Sequence, residues 1–298
     1  MDITDLLDLE LLVRDFSLLP NKRIHGLLIG KHSSFMRGRG MDFIEVRRYD
    51  HGDDIRNIDW KATARRSDTY TKVFEEEKQR CQLVLLNQDT SMVFGSVSEL
   101  KINSGLQVAS LHAFRALKMG DRVSIWSSNS SMNNNRQFCS TKVSLLSLLE
   151  SLLETNNQEL EFIEKNERLK EHGSFSNFLK EVVPQISHDY IIQVVTDVIK
   201  LTAEDVESLI ALSLRNDLIV THIEDPMDCN LPQTSLDITD GINESSLLIT
   251  PDEAQLFHDD YERRMSQLRD RLMVHQIPLL VVNTQSSLKE QIIDIVYG

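Results

Sequence analysis

The chain has 298 residues, of which 41% are apolar and 26% charged, the balance of a soluble globular protein with one broad core or two smaller ones. Its net charge of −14 is uneven: residues 31–80 are slightly basic and the excess acid lies mostly downstream, which argues against nucleic acid and anionic membranes as partners. No stretch reaches the roughly 18–20 apolar residues of a membrane span, and the acidic opening MDITDLLDLELLVRDF does not read as a signal peptide, so a cytoplasmic setting is expected. Cys81, Cys139 and Cys229 are too irregularly spaced for a zinc motif or a disulfide framework.

In chain order, Ile3, Leu6, Leu7 and Leu11 recur at helical spacing and predict an amphipathic helix over 3–18, stopped by Pro20. Strands are expected at 24–29 and 43–49, divided by a Gly-rich turn at 38–40, then a short helix at 57–65 and a strand at 70–76. From residue 82 the pattern changes to apolar runs that suit strands buried on both faces. Leu83–Leu86 is the first, followed by a helix with Leu106, Ala109, Ala113 and Leu117 on one side. A strand at 122–126, a short one at Phe138 and a helix at 142–154 come next; 155–172 has no clear pattern. Ser174 opens a helix that runs to about Pro184, and 190–196 is a buried strand with Asp197 at its carboxyl end. A helix at 203–214, a strand at 218–223 and a hairpin within 225–250 follow. A long helix carries Phe257, Tyr261, Met265, Leu268 and Leu272, and a strand at 278–282 and a helix with Leu288, Ile292 and Ile295 end the chain. Such alternation predicts an α/β fold with a doubly wound, mostly parallel sheet of Rossmann type. The expected division is 1–80, an N-terminal helix and Arg/Asp-rich lobe packed on the core, and 81–298, the sheet domain.

Between Gly30 and Glu77 the two signs of charge alternate among aromatic residues and glycines. Guanidinium groups bind carboxylates bidentately, so Arg47, Tyr49, Asp53, Asp54, Arg56, Asp59, Trp60 and Arg65 are expected to form a structural network, with Arg56 and Asp59 paired and partly buried. An ordinary solvated loop is the alternative. The run Arg47-x-Tyr49-x-x-Gly52-Asp53-Asp54-Ile55-Arg56-x-Ile58-Asp59-Trp60, with Ala64-Arg65, Tyr70, Lys72 and Glu75–Glu77, resembles the signature of the domain-of-unknown-function 58 family. Asp225-Pro226-Met227-Asp228-x-x-Leu231-Pro232 and the Tyr261 helix followed by Pro278-Leu279 are similar to later segments of that family. The resemblance implies a bacterial protein linked to MoxR-type AAA+ ATPases and built on a von Willebrand factor A-like domain.

In an open α/β sheet, ligands bind beyond the carboxyl ends of the strands, where strand order reverses. Asn87, Asp89 and Ser91 fall at the end of the first core strand, Thr196 and Asp197 at a later one, and Ser174 and Ser176 on the loop before a helix. Oxygen ligands from several loops suit a hard cation such as Mg²⁺. The resemblance implies a metal-ion-dependent adhesion site on Asn87, Asp89, Ser91, Ser174 and Asp197, but the pattern departs from Asp-x-Ser-x-Ser. Asn87 stands at the Asp position and Asp89 at the first Ser, while Ser174 is only a stand-in for the family's threonine. Either a working Mg²⁺ site or a degenerate one remains open, as does a simple capping role for the two aspartates.

No HExxH, GxSxG or Walker A pattern occurs. The resemblance therefore implies a non-enzymatic adaptor of a MoxR-type AAA+ ATPase, acting in maturation or assembly of a client protein complex through an exposed strand-end face. The rival expectation is a metal-dependent hydrolase using Asp53, Asp54 and Asp59.

Overall fold

The computed structural model describes residues 1–15, 41–65, 68–76, 79–129, 136–164, 174–232, 235–239 and 244–297. The strand expected at 24–29, the turn at 38–40 and the last turn of the first predicted helix lie outside them. The chain divides into two compact units, Met1–His32 with Cys81–Gly298, and Ser33–Arg80.

The first helix, α1 (Ile3–Asp15), belongs to the larger unit. The smaller unit pairs β1 (Met41–Arg48) antiparallel with β2 (Tyr70–Glu76), joined through a 3₁₀ turn at Ile55–Asn57 and the short α2 (Trp60–Thr63). Asp54 and Asp59 cap these two turns, which is why the predicted helix at 57–65 splits into separate pieces.

The larger unit continues with β3 (Cys81–Leu86), α3 (Lys101–Lys118), β4 (Arg122–Ser127), α4 (Lys142–Glu164), α5 (Phe175–Val182), β5 (Ile191–Thr196), α6 (Ala203–Ser213), β6 (Asp217–Glu224) and α7 (Pro226–Cys229). It ends with a hairpin of β7 (Ser235–Thr239) and β8 (Glu244–Leu248), then α8 (Pro251–Val274), β9 (Leu279–Asn283) and α9 (Leu288–Tyr297). Five parallel strands form the sheet in the order β4-β3-β5-β6-β9. Alternate residues of β3 serve opposite cores: Val84 and Leu86 meet α1, α3 and α4, whereas Leu83 and Leu85 meet α5, α6 and α8. Helices thus cover both faces, as expected of the doubly wound class.

Several expectations are corrected. Leu6 and Leu9 of α1 are buried in the core of the sheet unit, so this helix does not go with the lobe at 33–80. Phe138 adds no strand; Cys139 makes a single antiparallel bridge to Val123. The helix at 142 does not stop at 154 but runs to Glu164, because the fully buried Asn156 is held by Gln88 and by the Ile102 carbonyl. On α8 the buried side is Ala254, Tyr261, Met265 and Leu272, and Phe257 is exposed. Capping boxes start α6 (Thr202 with Asp205) and α8 (Thr250 with Glu253) where the sequence turns from loop to helix.

Candidate functional site: the carboxyl ends of the parallel strands

Strand order reverses between β3 and β5, and there the Asn87 side chain donates from Nδ2 to Thr196 Oγ1 at 3.1 Å. Its Oδ1 accepts from the Asp89 backbone N–H at 2.9 Å and from Ser128 Oγ at 3.3 Å. Asn87 therefore ties β3, β4 and β5 together at the switch point, using a donor that an aspartate would lack.

Asp89 spans two elements. Its Oδ1 accepts from the Ser91 backbone N–H at 2.9 Å and from the Ser91 hydroxyl, capping the short 3₁₀ turn at Thr90–Met92. Its Oδ2 accepts from the Phe175 backbone N–H at 3.1 Å, the first turn of α5. Ser174 is exposed and spends its hydroxyl on capping the same helix through the Asn177 N–H, while Ser176 donates to Asp205 at 2.6 Å. Asp89→Ala should therefore cost about 1–3 kcal/mol, as buried N–H groups lose their acceptor. Thermal or urea unfolding checks this, and an unchanged stability would mean that Asp89 is not a structural clamp.

Asp197 lies at the end of β5, 2% exposed, with Oδ1 accepting from the Ile199 N–H at 3.1 Å. Its Oδ2 is 2.9 Å from Nζ of Lys101, the first residue of α3. Lys101 is itself 1% exposed and also ion-pairs with Asp228 Oδ2 on α7. The Asp228 carboxylate in turn accepts from the Asp225 N–H at 2.7 Å, completing the cap of α7.

Asp225, fully buried after β6, gathers three loops. Its oxygens accept from the Ser96 N–H at 2.8 Å, Ser96 Oγ at 2.5 Å, the Met227 N–H at 3.0 Å and Thr284 Oγ1 at 2.6 Å. Burial alone would raise this carboxyl, but the hydrogen bonds from Ser96, Thr284 and Met227 outweigh it and hold it below the usual carboxylate range.

Next to Asp197, His222 on β6 is fully buried. Its Nδ1 accepts from the Val198 N–H at 3.3 Å, which places the proton on Nε2, 3.1 Å from the Tyr261 hydroxyl. Tyr261 then donates to Glu224. Burial keeps His222 below the ordinary imidazole pKa despite the pull of Asp197, and burial together with Glu224 pushes the Tyr261 phenol up. The neutral ring means that its 3.8 Å approach to Asp197 is no ion pair.

The residues expected on an exposed face are largely buried: Asn87, Asp89 and Ser91 follow β3 and Asp197 follows β5, yet Asn87 is 1%, Asp89 9% and Asp197 2% exposed, with Ser91 only partly so. Their polar groups are turned inward. A Mg²⁺ ion would need their oxygens at about 2.0–2.1 Å. Both oxygens of Asp89 and both of Asp197 already accept N–H, O–H or ammonium donors, and Lys101 Nζ sits against the very oxygen that Asp197 would offer. Among the described residues no cluster of three His, Cys, Asp or Glu is arranged to hold a metal. In this arrangement the residues do not fit the ion.

Sequence reasoning missed Lys101, Asp225, Asp228 and the His222–Tyr261–Glu224 chain. One signal for Lys101 was present: a lysine between Leu100 and Ile102, opening a helix otherwise buried on that side. Asp225 and Asp228 appear in the Asp-Pro segment but carry no spacing cue that points to Lys101.

The small unit realises part of its expected network. Arg47 pairs with Asp53 at 2.7 Å and Arg48 with Asp68 at 2.8 Å. Tyr49 contributes its N–H to Thr69, and the N–H of Asp50 holds the Asp53 carboxyl below its usual pKa. Arg56 is exposed and makes no ion pair with a described residue; Arg65 and Trp60 are exposed too, Trp60 at 69%. The expectation that Arg56 and Asp59 hold paired, at least partly buried positions is corrected for Arg56; Asp59 is half-buried but spends its carboxylate on the Lys61 and Ala62 N–H groups of α2, both at 3.0 Å. Asp53, Asp54 and Asp59 each serve a separate local turn and do not converge.

A family model described as "Protein of unknown function DUF58" matches residues 45–271. Uncharacterized proteins of Mycobacterium bovis (strain ATCC BAA-935 / AF2122/97) and Mycobacterium tuberculosis (strains CDC 1551 / Oshkosh and ATCC 25618 / H37Rv) are 25% identical over 111 residues. That stretch is 37% of this chain and 35% of each relative, so the match spans about a third of their length. No solved structure matches.

Proposed function

This chain belongs to the DUF58 family of proteins of unknown function, and on that premise we propose that it acts by binding, as an adaptor for a MoxR-type AAA+ ATPase in the maturation or assembly of a client protein complex. The observation that carries this reading is the loop after β3. Phe94 and Val97 stand 41% and 63% exposed on it, above strand ends whose charged groups are already satisfied internally. The loop is held rigidly. Ser96 is bonded twice to Asp225, Ser98 Oγ donates to the Thr284 carbonyl at 2.6 Å, and the Lys101 N–H bonds the Phe94 carbonyl at 2.8 Å. At Gly95 a Cβ would come within 2.2 Å of the Glu99 carbonyl oxygen, so only glycine allows this turn. A preorganised loop presents its apolar side chains at a lower ordering cost, which suits a protein contact. By contrast, among the described residues no nucleophile and base converge at the strand ends, and the rival hydrolase reading lacks support because its three aspartates serve separate turns.

The test is binding of the purified chain to a MoxR-type ATPase from the same genome. Val97→Asp should weaken it at least about tenfold, the effect of losing an interface anchor, while leaving the melting temperature unchanged. No binding by the wild-type chain, or metal-dependent hydrolysis that Asp54→Ala abolishes, would overturn the proposal. No helix among the described residues is long and apolar enough to cross a membrane.

A further inference from the structure

Lys101 occupies a position that two general effects disfavour. It is the first residue of α3, where the helix macrodipole repels a cation, and Leu100 before it offers no side-chain cap. It is also 1% exposed, where desolvation opposes an ammonium charge. Its Nζ nevertheless meets two carboxylates from separate loops, Asp197 after β5 and Asp228 on α7, and the Phe94 ring lies 5.8 Å away. A helix start gains nothing from this residue, so its placement answers the two acids. His222, the other basic group beside Asp197, is neutral through its bond from the Val198 N–H. Among the described residues Lys101 is therefore the cation of this cluster.

We infer that the Lys101 ammonium stands in the place of a metal ion, so that the strand-end site is completed by a charge from its own chain and takes no divalent cation. Asp197 Oδ2 and Asp228 Oδ2 converge on Nζ from two separate elements, the arrangement by which oxygen ligands from different loops close on a hard cation. Removing the side chain should leave a largely buried pocket with two carboxylates and no charge to balance them, which favours a cation. This inference rests on the buried geometry and stands or falls independently of the adaptor reading.

The experiment is Mn²⁺ titration of the full chain, followed by electron paramagnetic resonance and by melting temperature. Weak association of Mn²⁺ with so acidic a surface is expected to be the same in the wild type and in Asp197→Asn. Lys101→Ala should gain one Mn²⁺ site at least tenfold tighter than this background, show a melting temperature that rises with Mn²⁺, and lose both in Lys101→Ala with Asp197→Asn. A stoichiometric Mn²⁺ on the wild-type chain that Asp197→Asn removes would overturn the inference. A folded Lys101→Ala chain that gains no Mn²⁺ would overturn it equally. If Lys101→Ala folds only when Mn²⁺ is added, that rescue supports it; if it folds under neither condition, the wild-type and Asp197→Asn titrations decide, with matching background supporting the inference.

Discussion

Lys101→Met is expected to destabilise the sheet unit by about 3–5 kcal/mol, because it leaves Asp197 and Asp228 charged and uncompensated next to each other. Methionine keeps the length of the stem, so the loss reports charge rather than a cavity. Trp126 is buried in this unit whereas Trp60 is exposed, and denaturant unfolding followed by fluorescence in a Trp60→Phe background reads the sheet unit alone. Restoring neutrality should recover much of the loss: Lys101→Met combined with Asp197→Asn and Asp228→Asn should be more stable than Lys101→Met alone. An effect of Lys101→Met below about 1 kcal/mol, the range of an exposed ion pair, would show that water reaches the cluster.

The scale of that effect explains why the cluster is informative about function. A buried ion pair seldom adds net stability over well-packed apolar residues, so it is kept for what it specifies. Here it fixes where the start of α3, the end of β5 and α7 sit, and with Asp225 it sets the loop that carries Phe94 and Val97. Under the adaptor proposal, the polar groups at the strand ends would frame the Phe94 and Val97 contact rather than make it.

The strands of the sheet are legible in the sequence because both faces are buried, so Leu83–Leu86 and 191–196 appear as unbroken apolar runs. The switch-point residues Asn87, Asp89 and Asp197 are legible for a topological reason: alternating strands and helices put those loops on one edge whatever the side chains are. Exposure is not legible. The alternating charges at 47–65 look the same whether solvated or buried, and Arg56 and Trp60 prove to be solvated while Asp197 does not. Nor is the Lys101–Asp228 pair, whose partners are 127 positions apart and meet only because the fold brings α3 and α7 to the same strand ends. The helix beyond Glu154 is hidden for a related reason. A polar stretch stays helical there because Asn156 finds Gln88 and the Ile102 carbonyl, contacts no periodicity announces.

His112 should give the unfolding free energy a distinct pH dependence. It lies on the buried side of α3, 6% exposed, and neither ring nitrogen meets a hydrogen-bond partner among the described residues. Burial, aided by the charge of Arg115, lowers its pKa from 6.5 to about 4. The ring is thus neutral in the folded chain where the unfolded chain already takes up a proton, so stability is full above pH 6.5 and falls as pH drops toward 4. Across that window the loss is roughly 3 kcal/mol, at about 1.4 kcal/mol per pH unit. Asp225 contributes in a separate range: with its folded pKa lowered below 3.8, its share is present above that value and is lost only as pH falls further. His112→Leu should therefore reduce the slope of the stability profile between pH 6.5 and 4, leaving the share of His222, whose pKa burial also lowers, and the steeper acid loss below it. If the difference in unfolding free energy between His112→Leu and the wild type stays constant from pH 7 to 4, then His112 takes up its proton in the folded state as easily as in the unfolded one, and the dry packing of α3 around it is refuted.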